Sequence, residues 1–386
     1  MSTPYSQQPQ STAAPSQKFR SRAAELLQSA DIEIDGSRPW DIRVHDPRLY
    51  ARAFAEGSIG VGEAYMDGWW DCTRLDEFFA RLFAARIDDK VVTWKDGLRS
   101  AQARLFNLQS RSRSFEIGRH HYDKGNRLYQ YMLGKHMMYS CGYWKDAQTL
   151  DEAQEAKLDL ICRKLRLESG MKLLDIGCGW GGMVKFAAER YGVEAVGVTV
   201  SEQQANYARE SCRGLPIDIR LEDYRNIEGH FDRIVSIGMF EHVGYKNYRT
   251  YMETARRLLA ADDGLFLLHC IGTNTSVNKT DPWIARYIFP NSMLPSARQI
   301  TTAIEGLFIF EDWHNFGADY DRTLLQWLHN FRVHWDELKN DYDQRFYRMW
   351  TYYLQASAGT FRSRRSQLWQ VLLSPNGVRG GCRVPR

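Results

Sequence analysis

Strands and helices alternate in the hydrophobic pattern of the second half of the chain. After the apolar run 173–176, runs rich in β-branched and aliphatic residues predict four strands, at 195–200, 217–221, 234–237 and 265–270. Segments 202–212 and 248–260 have helical spacing. Such alternation predicts a parallel, doubly wound α/β sheet, whose ligands bind at the carboxyl ends of the strands.

Further apolar segments extend this picture. Runs 307–310 and 368–373 are expected to complete the sheet, and helices over 323–339 and 343–358 to add a layer. The aromatic and aliphatic stretch 273–300 interrupts the alternation after a strand. We expect this insertion to lie on the ligand side of the sheet.

A glycine-rich turn follows the first predicted strand of the sheet. Gly177, Gly179, Gly181 and Gly182 fall within six positions, directly after Asp175 and Ile176. Glycine lets the backbone turn tightly and approach a ligand closely because it has no Cβ. The stretch therefore predicts a nucleotide-type cofactor site.

The acid before this turn discriminates between cofactors. A dinucleotide site is expected to have an acid at the tip of the second strand, where this chain has Thr199 and other polar residues but no acid. Asp175 would repel a pyrophosphate but attract the cationic amino-acid end of S-adenosylmethionine. We therefore predict S-adenosylmethionine, with nicotinamide binding as a minor alternative.

Two further positions are assigned to the same cofactor. Gln204 is placed to bond the ribose hydroxyls, and Glu222 or Asp223 to reach the adenine amine. The alternative interpretations are that Gln204 is an ordinary surface residue and that Asp175 ties down the turn through backbone amides, a role that it could combine with cofactor binding.

The chain is predicted to divide into four parts. Residues 1–17 are rich in Ser, Gln, Pro and Ala and are expected to be disordered. Residues 18–86 predict a small α+β domain, 87–114 a basic linker, and 115–386 the catalytic domain.

The small domain has its own pattern of short elements. Its aromatic segment 59–70 is expected to belong to the core, with a lipid-facing patch as the alternative. The predicted elements are helices at 20–29, 47–57 and 75–84 and strands at 32–34 and 42–44.

Composition narrows the class of protein. The 386 residues are 44% hydrophobic and 25% charged, and no apolar run is long enough for a membrane span or a signal peptide. Seven scattered cysteines favour reduced thiols in the cytoplasm and no structural metal.

The net charge of +4 is too small for a dedicated nucleic-acid binder, but basic residues concentrate over 81–120 and in the tail after Phe361. These clusters suit an anionic membrane surface or are solvated helix faces.

Several ordered motifs are shared with one family. The chain resembles the bacterial cyclopropane-fatty-acyl-phospholipid synthases and the related mycolic acid cyclopropane synthases from about Lys18 to Ser374. The motifs that carry this resemblance are His121-Tyr122-Asp123, Tyr139-Ser140-Cys141, Leu174-Asp175-Ile176-Gly177-Cys178-Gly179-Trp180-Gly181, Gly238-Met239-Phe240-Glu241-His242-Val243-Gly244, Tyr287-Ile288-Phe289-Pro290, Asp312-Trp313-His314-Asn315-Phe316-Gly317 and Phe346-Tyr347-Arg348-Met349-Trp350.

The resemblance implies a Rossmann-like class I methyltransferase domain that transfers a methylene from S-adenosylmethionine to the cis double bond of a phospholipid acyl chain. A bound bicarbonate is implied as the base that deprotonates the intermediate carbocation, at a site formed by Cys141, Glu241, His269, Ile271 and Tyr320. Tyr122, Tyr139 and Ser140 are implied near the methionine end of the cofactor. A homodimer held peripherally on the inner face of the membrane is also implied.

The implied residue types fit that chemistry. His269 and Tyr320 donate hydrogen bonds suited to a small oxyanion, and backbone amides around Cys141 and Ile271 are expected to help. Glu241 is expected to accept the hydroxyl proton of the bicarbonate. Cys141 therefore need not be a nucleophile.

Each assignment has a structural alternative. Glu241 is alternatively a structural partner of His242, His269 a core histidine, Tyr320 a helix-capping residue and the tyrosine segment a packing element. One departure from the family is Ser357, where relatives often carry cysteine, and it removes none of the implied ligands. The remaining hypotheses are methyl transfer to another lipid or an amine, and an inactive membrane-binding protein.

Overall fold

The computed structural model describes residues 13–90 and 126–386. The N-terminal part is mainly helical, with two very short antiparallel strands, β1 and β2. Its elements are α1 (Ala13–Gln28), β1 (Arg43–Val44), α2 (Arg48–Glu56), α3 (Ser58–Met66), β2 (Trp70–Asp71), α4 (Leu75–Ala84) and α5 (Ile87–Lys90). Helices α2 and α4 lie where the sequence predicts them, whereas α1 begins earlier than predicted and the segment 32–34 contributes only one bridge, from Ile34 to Ile42.

The aromatic segment of this part lies in the core. Tyr65 and Trp70 are buried, and the indole nitrogen of Trp70 donates to the carbonyl of Val61 at 3.0 Å. Trp69 is half-buried beneath the guanidinium groups of Arg48 and Arg52. The core interpretation is therefore confirmed for Tyr65 and Trp70.

A seven-stranded sheet forms the framework of the larger part. Its strands are β3 (Lys172–Ile176), β4 (Glu194–Thr199), β5 (Ile217–Leu221), β6 (Arg233–Ile237), β7 (Leu265–Thr273), β8 (Ile309–Asn315) and β9 (Ser366–Ser374), in the spatial order β5-β4-β3-β6-β7-β9-β8. The order reverses beside β3, which places a ligand crevice at the carboxyl end of that strand.

The sheet departs from the predicted parallel arrangement in one strand. Strands β3 to β7 pair in parallel, whereas β9 is antiparallel to both β7 and β8. The chain leaves β8 along one long helix and returns along another, so it enters β9 from the end at which β8 finished. Hydrophobic pattern alone does not encode strand direction, and the prediction of a wholly parallel sheet was wrong for β9.

Helices cover both faces of the sheet. They are α6 (Asn126–Leu133), α7 (Leu150–Lys164), α8 (Gly182–Tyr191), α9 (Glu202–Ser211), α10 (Tyr248–Leu258), α11 (Pro282–Tyr287), α12 (Ala297–Ile304), α13 (Ala318–Val333), α14 (Trp335–Leu338) and α15 (Gln344–Arg362). Helix α7 begins with a capping box in which Thr149 accepts from the Glu152 amide and the Glu152 side chain accepts from the Thr149 amide. This cap fixes the start of a helix that borders the site described below.

Helix α15 joins the two parts of the chain. Gly359 lies against Phe79 of α4, and a Cβ at Gly359 would come within 2.6 Å of the Phe79 Cβ. Arg348 of the same helix donates to the carbonyls of Tyr65 and Trp70, at 2.5 Å and 2.9 Å. One hydrophobic core continues across this contact. The boundary at 87–114 stays a prediction, since residues 91–125 lie outside the described part.

Candidate functional site

A pocket opens at the carboxyl ends of β3, β4 and β6. Most of the residues predicted to bind the cofactor line it: Tyr139, Ser140, Asp175, Gly177, Gly179, Thr199, Gln204 and Asp223. The remaining one, Tyr122, lies outside the described residues. The predicted positions therefore converge on one cavity although they are spread over 85 positions of sequence.

The glycine turn shapes the floor of this pocket. Gly177 has φ +92°, and a Cβ there would meet the side chain of Met239 at 2.8 Å. The amides of Gly177 and Cys178 both donate to the carbonyl of Val198 at 2.9 Å. These hydrogen bonds attach the turn to β4. The glycines of the turn line the pocket and place no side chain in it.

Asp175 is a buried acid on the wall of the pocket. The turn amides donate to Val198, and Asp175 Oδ1 has no hydrogen-bond partner among the described residues. The alternative that Asp175 ties down the turn is therefore wrong. Burial raises the pKa of Asp175 to about 7, an effect that nearby Lys157 opposes. A buried, unpaired carboxyl oxygen fits the ammonium group of an amino-acid ligand.

Gln204 is held by the end of β4. The Thr199 hydroxyl donates to Gln204 Oε1 at 2.9 Å, and Ser201 caps the helix that carries Gln204. Gln204 is buried, so the interpretation of a plain surface residue is wrong. Because its carbonyl oxygen is occupied by Thr199, the amide group of Gln204 is the end left for a ligand.

Asp223 is fixed at the far side of the pocket. Its carboxylate receives two hydrogen bonds from the Arg225 guanidinium, at 2.7 Å and 2.6 Å, and one from the Arg225 amide at 3.0 Å. Asp223 lines the cavity next to Glu222. The ion pair of Asp223 with Arg225 thus holds a hydrogen-bond acceptor where the adenine amine is expected.

Tyr139 and Ser140 form the opposite wall of the pocket. The hydroxyls of Tyr139 and Tyr353 lie 2.9 Å apart, and the Tyr139 ring packs near Phe289 of the predicted insertion. Ser140 is buried, and its hydroxyl accepts a hydrogen bond from Lys157 Nζ at 2.9 Å. The segment is therefore anchored by both aromatic packing and buried polar groups.

A second group of predicted residues contains Glu241, His269 and Ile271, which lie after β6 and on β7. The backbone amide of Ile271 donates to Glu241 Oε1 at 2.7 Å. The other carboxyl oxygen, Oε2, is buried and has no partner among the described residues. Burial raises the pKa of Glu241 to about 7, while the Ile271 amide opposes the rise. Glu241 thus exchanges a proton close to neutral pH.

The role expected of the Ile271 amide differs from the one seen. It was expected to help hold an oxyanion directly, but its hydrogen is given to Glu241. In this structure Ile271 orients the carboxyl group instead. A sequence shows which residues follow a strand but not which acceptor takes each amide.

His269 lies two residues before Ile271 on β7. Its Nδ1 faces the side-chain amide nitrogen of Gln370 on β9 at 3.3 Å, and its Nε2 is buried without a partner among the described residues. Burial holds the pKa of His269 well below its usual value, so the ring is neutral. With Nδ1 accepting from Gln370, Nε2 carries the hydrogen and is a donor for an oxygen ligand.

Cys141 and Tyr320 are the other two residues implied for the bicarbonate site, and they lie before α7 and on α13. The Cys141 sulfur lies 3.7 Å from Thr323 Oγ1, and Tyr320 is buried one turn earlier on α13, with its ring 4.5 Å from that of Phe361. Burial raises the pKa of the Cys141 thiol well above its usual value, which excludes a reactive thiolate. Helix α13 begins at Ala318 after Gly317, so Tyr320 is not its capping residue.

Sequence reasoning missed the polar residues that support these groups. Gln154 donates to the carbonyl of Ser140 at 2.8 Å, Lys157 to the Ser140 hydroxyl, and the Thr323 hydroxyl accepts from the Gly142 amide at 3.1 Å. A signal was present for the first two, because α7 places them on its apolar stripe with Leu150 and Ile161. Polar residues at core positions of an amphipathic helix indicate buried hydrogen-bonding roles.

Within residues 13–90 and 126–386, no helix has both the length and the apolar character needed to cross a bilayer.

Comparisons with known proteins identify relatives over most of the chain. The profile of the mycolic acid cyclopropane synthetase family matches residues 109–371. The cyclopropane-fatty-acyl-phospholipid synthase of Escherichia coli (strain K12) is 54% identical over 365 residues, which cover 94% of this chain and 95% of the relative. A probable fatty acid methyltransferase of Mycobacterium tuberculosis is 38% identical over 72% of this chain and 67% of its own length.

A solved structure supports the fold. The mycolic acid cyclopropane synthase CmaA1, complexed with SAH and CTAB, superposes with a TM-score of 0.63 at 31% identity and covers 67% of this chain and 97% of its own. The predicted fold class, a Rossmann-like methyltransferase domain, is confirmed by this similarity. On these findings the chain belongs to the mycolic acid cyclopropane synthetase family.

Proposed function

We propose that this protein is a cyclopropane-fatty-acyl-phospholipid synthase, which converts a cis double bond of a phospholipid acyl chain into a cyclopropane ring. The observation that carries the proposal is the pair of buried atoms Glu241 Oε2 and His269 Nε2, which have no partner within residues 13–90 and 126–386 and lie near a cofactor-sized pocket. A carbocation formed when an alkene takes up a methyl group must lose a proton, and these two atoms offer a buried site for the group that accepts it.

The pocket residues fit S-adenosylmethionine, which supplies the methyl group when bound. Asp175 would bind its ammonium group, Gln204 the ribose hydroxyls and Asp223 the adenine amine. The 31% identical CmaA1 was solved with SAH, the demethylated form of this cofactor. The orphaned Asp175 Oδ1 is the feature of this chain that favours a ligand with a cationic end.

The second group of residues fits a bicarbonate ion, which would supply the base for the final deprotonation. A neutral His269 presents an N–H donor, and Glu241 presents a carboxyl oxygen able to take up a proton near pH 7. These are the complementary groups that a small oxyanion with one hydroxyl requires. Tyr320 and the backbone at Cys141 would complete its surroundings.

The proposed reaction uses the electron pair of the alkene. That pair forms a bond to the methyl carbon while the carbon–sulfur bond breaks toward sulfur, which leaves a carbocation on the neighbouring carbon. Loss of a proton from the transferred methyl group then releases the electron pair that closes the ring. Glu241 and His269 would hold the proton acceptor at this point, and burial excludes water that would convert the cation to an alcohol.

The lipid assignment and the assembly are also proposals. Phe289 packs near Tyr139 and Tyr353, with ring centroids 6.2 Å and 6.0 Å away, and we propose that these aromatic rings next to the pocket residue Tyr139 contact the acyl chain. We propose that the protein acts as a homodimer bound peripherally at the cytoplasmic face of the membrane. Vesicle flotation and sedimentation velocity test these two statements separately.

The reaction is tested with purified protein, S-adenosylmethionine and vesicles of a cis-unsaturated phospholipid. Mass spectrometry should show acyl chains heavier by one CH₂, and these chains should resist hydrogenation because they contain a ring. Products that still take up hydrogen would be methyl-branched and would contradict the proposal. Vesicles of the saturated phospholipid are the control.

The second candidate function is methyl transfer without ring closure, to another lipid or an amine. The 38% identical relative, described as a probable fatty acid methyltransferase, favours keeping this candidate. A hydrogen-accepting lipid product or a methylated amine in the same assay would establish it.

A further inference from the structure

Glu63 of α3 is a buried acid of the N-terminal part that none of the steps above uses. The residue is 8% exposed, and its carboxylate accepts a hydrogen bond from the Tyr287 hydroxyl at 2.7 Å. The same carboxyl oxygen lies 3.1 Å from Arg286 Nη1, and the second oxygen pairs with Arg52 of α2. Hydrogen bonds to an ionised carboxylate are among the stronger polar contacts in proteins. Glu63 therefore holds the end of α11 against α2 and α3.

Close packing holds the start of α11 at the same contact. Trp283 is buried, and a Cβ at Gly62 of α3 would lie 2.4 Å from its indole ring. The indole also packs against the Tyr352 ring of α15, with centroids 4.6 Å apart. Asp281 caps the helix, because its side chain accepts from the amides of Trp283 and Ile284 at 2.9 Å and 3.0 Å. Both ends of α11 are therefore fixed, and both contact α3.

The residues that follow α11 reach the cofactor pocket. The Phe289 amide donates to the Ile284 carbonyl at 2.8 Å, so Phe289 is attached to the helix. The Phe289 ring lies 6.2 Å from the Tyr139 ring and 5.8 Å from the His242 ring, measured between centroids. Tyr139 and His242 both line the pocket. A shift of α11 would therefore move an aromatic ring that packs next to two pocket residues.

The same segment is bonded to the backbone of Glu241. The Met293 amide donates to the Glu241 carbonyl at 2.7 Å, and Met293 is buried. Segment 281–293 therefore contacts Glu63 at one place and Glu241 at another. Water that reached the proposed carbocation would convert it to an alcohol, so the position of a segment this close to Glu241 bears on the product.

We propose that Glu63 is a positioning residue for the reaction, which holds segment 281–293 against the site through the Tyr287 hydroxyl and so keeps water from the carbocation. This inference rests on the proposed function, since it concerns the carbocation of that reaction. It extends that function, because it assigns a residue of the N-terminal part a role in determining the product. The chemistry of ring closure itself stays with the groups described above.

The test measures the ratio of two products that the full chain forms from S-adenosylmethionine and vesicles of a cis-unsaturated phospholipid. Ring closure makes the acyl chain heavier by CH₂. Attack by water forms a carbon–oxygen bond at the cationic carbon and releases a proton, so the chain becomes heavier by CH₄O. Mass spectrometry gives the ratio of the two. Only folded, active molecules form either product, so a loss of stability alone leaves this ratio unchanged.

Two substitutions break the contact from its two sides. Tyr287→Phe removes the hydroxyl and keeps the ring, and Glu63→Gln keeps the shape and removes the charge. We expect each variant to raise the hydroxylated fraction about fivefold or more, with SAH affinity within about twofold of wild type. The double variant should shift the ratio no further than the more strongly affected single variant, because both residues act through one contact.

Tyr191→Phe is the matched control. The Tyr191 hydroxyl donates to Asp159 Oδ1 at 2.6 Å, so this variant also loses a hydrogen bond between a tyrosine and a carboxylate, but at the end of α8. We expect it to lower stability about as much as Tyr287→Phe does and to leave the product ratio unchanged. Glu56→Gln is the second control, because Glu56 lies on α2 and also pairs with Arg52, at 3.1 Å.

The outcomes are distinguishable. If the wild type forms no ring-containing product, the proposed function is wrong and the inference falls with it. If the wild type forms the ring and both variants keep its product ratio, only the inference is wrong, even where turnover or stability falls. An equal shift in Tyr191→Phe or Glu56→Gln would show that the effect is not specific to this contact. Additive shifts in the double variant would overturn the assignment of Tyr287 as the residue through which Glu63 acts.

Discussion

The backbone amide of Ile271 donates to Glu241 Oε1 at 2.7 Å, so the end of β7 orients a carboxyl group that follows β6. One oxygen of Glu241 is thereby fixed and the other is presented, buried and unpartnered, to the site. Glu241→Gln keeps the shape and removes the base. We expect turnover to fall about 100-fold or more, with SAH affinity within about threefold of wild type.

This prediction is checked by steady-state kinetics and by calorimetric titration with SAH. The control is Glu253→Gln, on the exposed side of α10, which should leave both quantities unchanged. An equal loss of turnover and SAH affinity in Glu241→Gln would instead assign Glu241 a purely structural role.

The same substitution should change how stability depends on pH. The pKa of Glu241 rises from 4.5 to about 7 through burial, so its favourable contribution is complete below pH 4.5 and is lost as the pH rises through 7. Between pH 4.5 and pH 8, the free energy of unfolding of the wild type should therefore fall by about 1–3 kcal/mol relative to that of Glu241→Gln. Urea unfolding of both proteins at the two pH values measures this difference, and parallel pH profiles would contradict the buried-acid assignment.

Asp175 predicts a pH dependence of cofactor binding. Its pKa is raised to about 7, and only the carboxylate attracts an ammonium group, so SAH affinity should increase as the pH rises through that value. Asp175→Asn should weaken binding about 10- to 100-fold at pH 8 and flatten the pH profile. Calorimetry gives both results, with the exposed Asp218→Asn as control. Wild-type affinity in Asp175→Asn would remove Asp175 from the cofactor site.

Gly177 and Gly170 form a pair that separates backbone strain from steric overlap. Both have positive φ, +92° and +84°, but a Cβ would meet Met239 at 2.8 Å only at Gly177 and nothing within 4 Å at Gly170. The free energy of unfolding should fall by about 1 kcal/mol in both alanine variants because of backbone strain. In Gly177→Ala it should fall by about 1–3 kcal/mol more because of steric overlap with Met239. Urea unfolding tests this difference, and equal losses would show that Met239 moves aside freely.

Part of the cofactor site could be predicted from the sequence because Asp175, Thr199 and Asp223 lie near the carboxyl ends of strands. Strand ends in an α/β sheet meet at one edge, so Asp175, Thr199 and Asp223 were expected together before their geometry was known. The resemblance added Glu241 and His269, which no local pattern distinguishes from core residues.

What the sequence did not predict depends on contacts between distant segments. The position of Lys157 on the apolar stripe of α7 indicates burial, but only the packing of α7 against the Ser140 segment shows which partner it has. The reversed direction of β9 likewise follows from the return path of two helices. That reversal matters for the site, because it sets Gln370 opposite His269.

The close contact of Gly359 with Phe79 bears on protein engineering. Chimeras that combine the N-terminal part of one relative with the catalytic part of another are a natural route to new lipid preferences. At this junction the two backbones approach too closely for any side chain larger than hydrogen at position 359. Exchange of α4 between relatives should therefore succeed only when α15 is exchanged with it, or when both donors carry glycine at the crossing point.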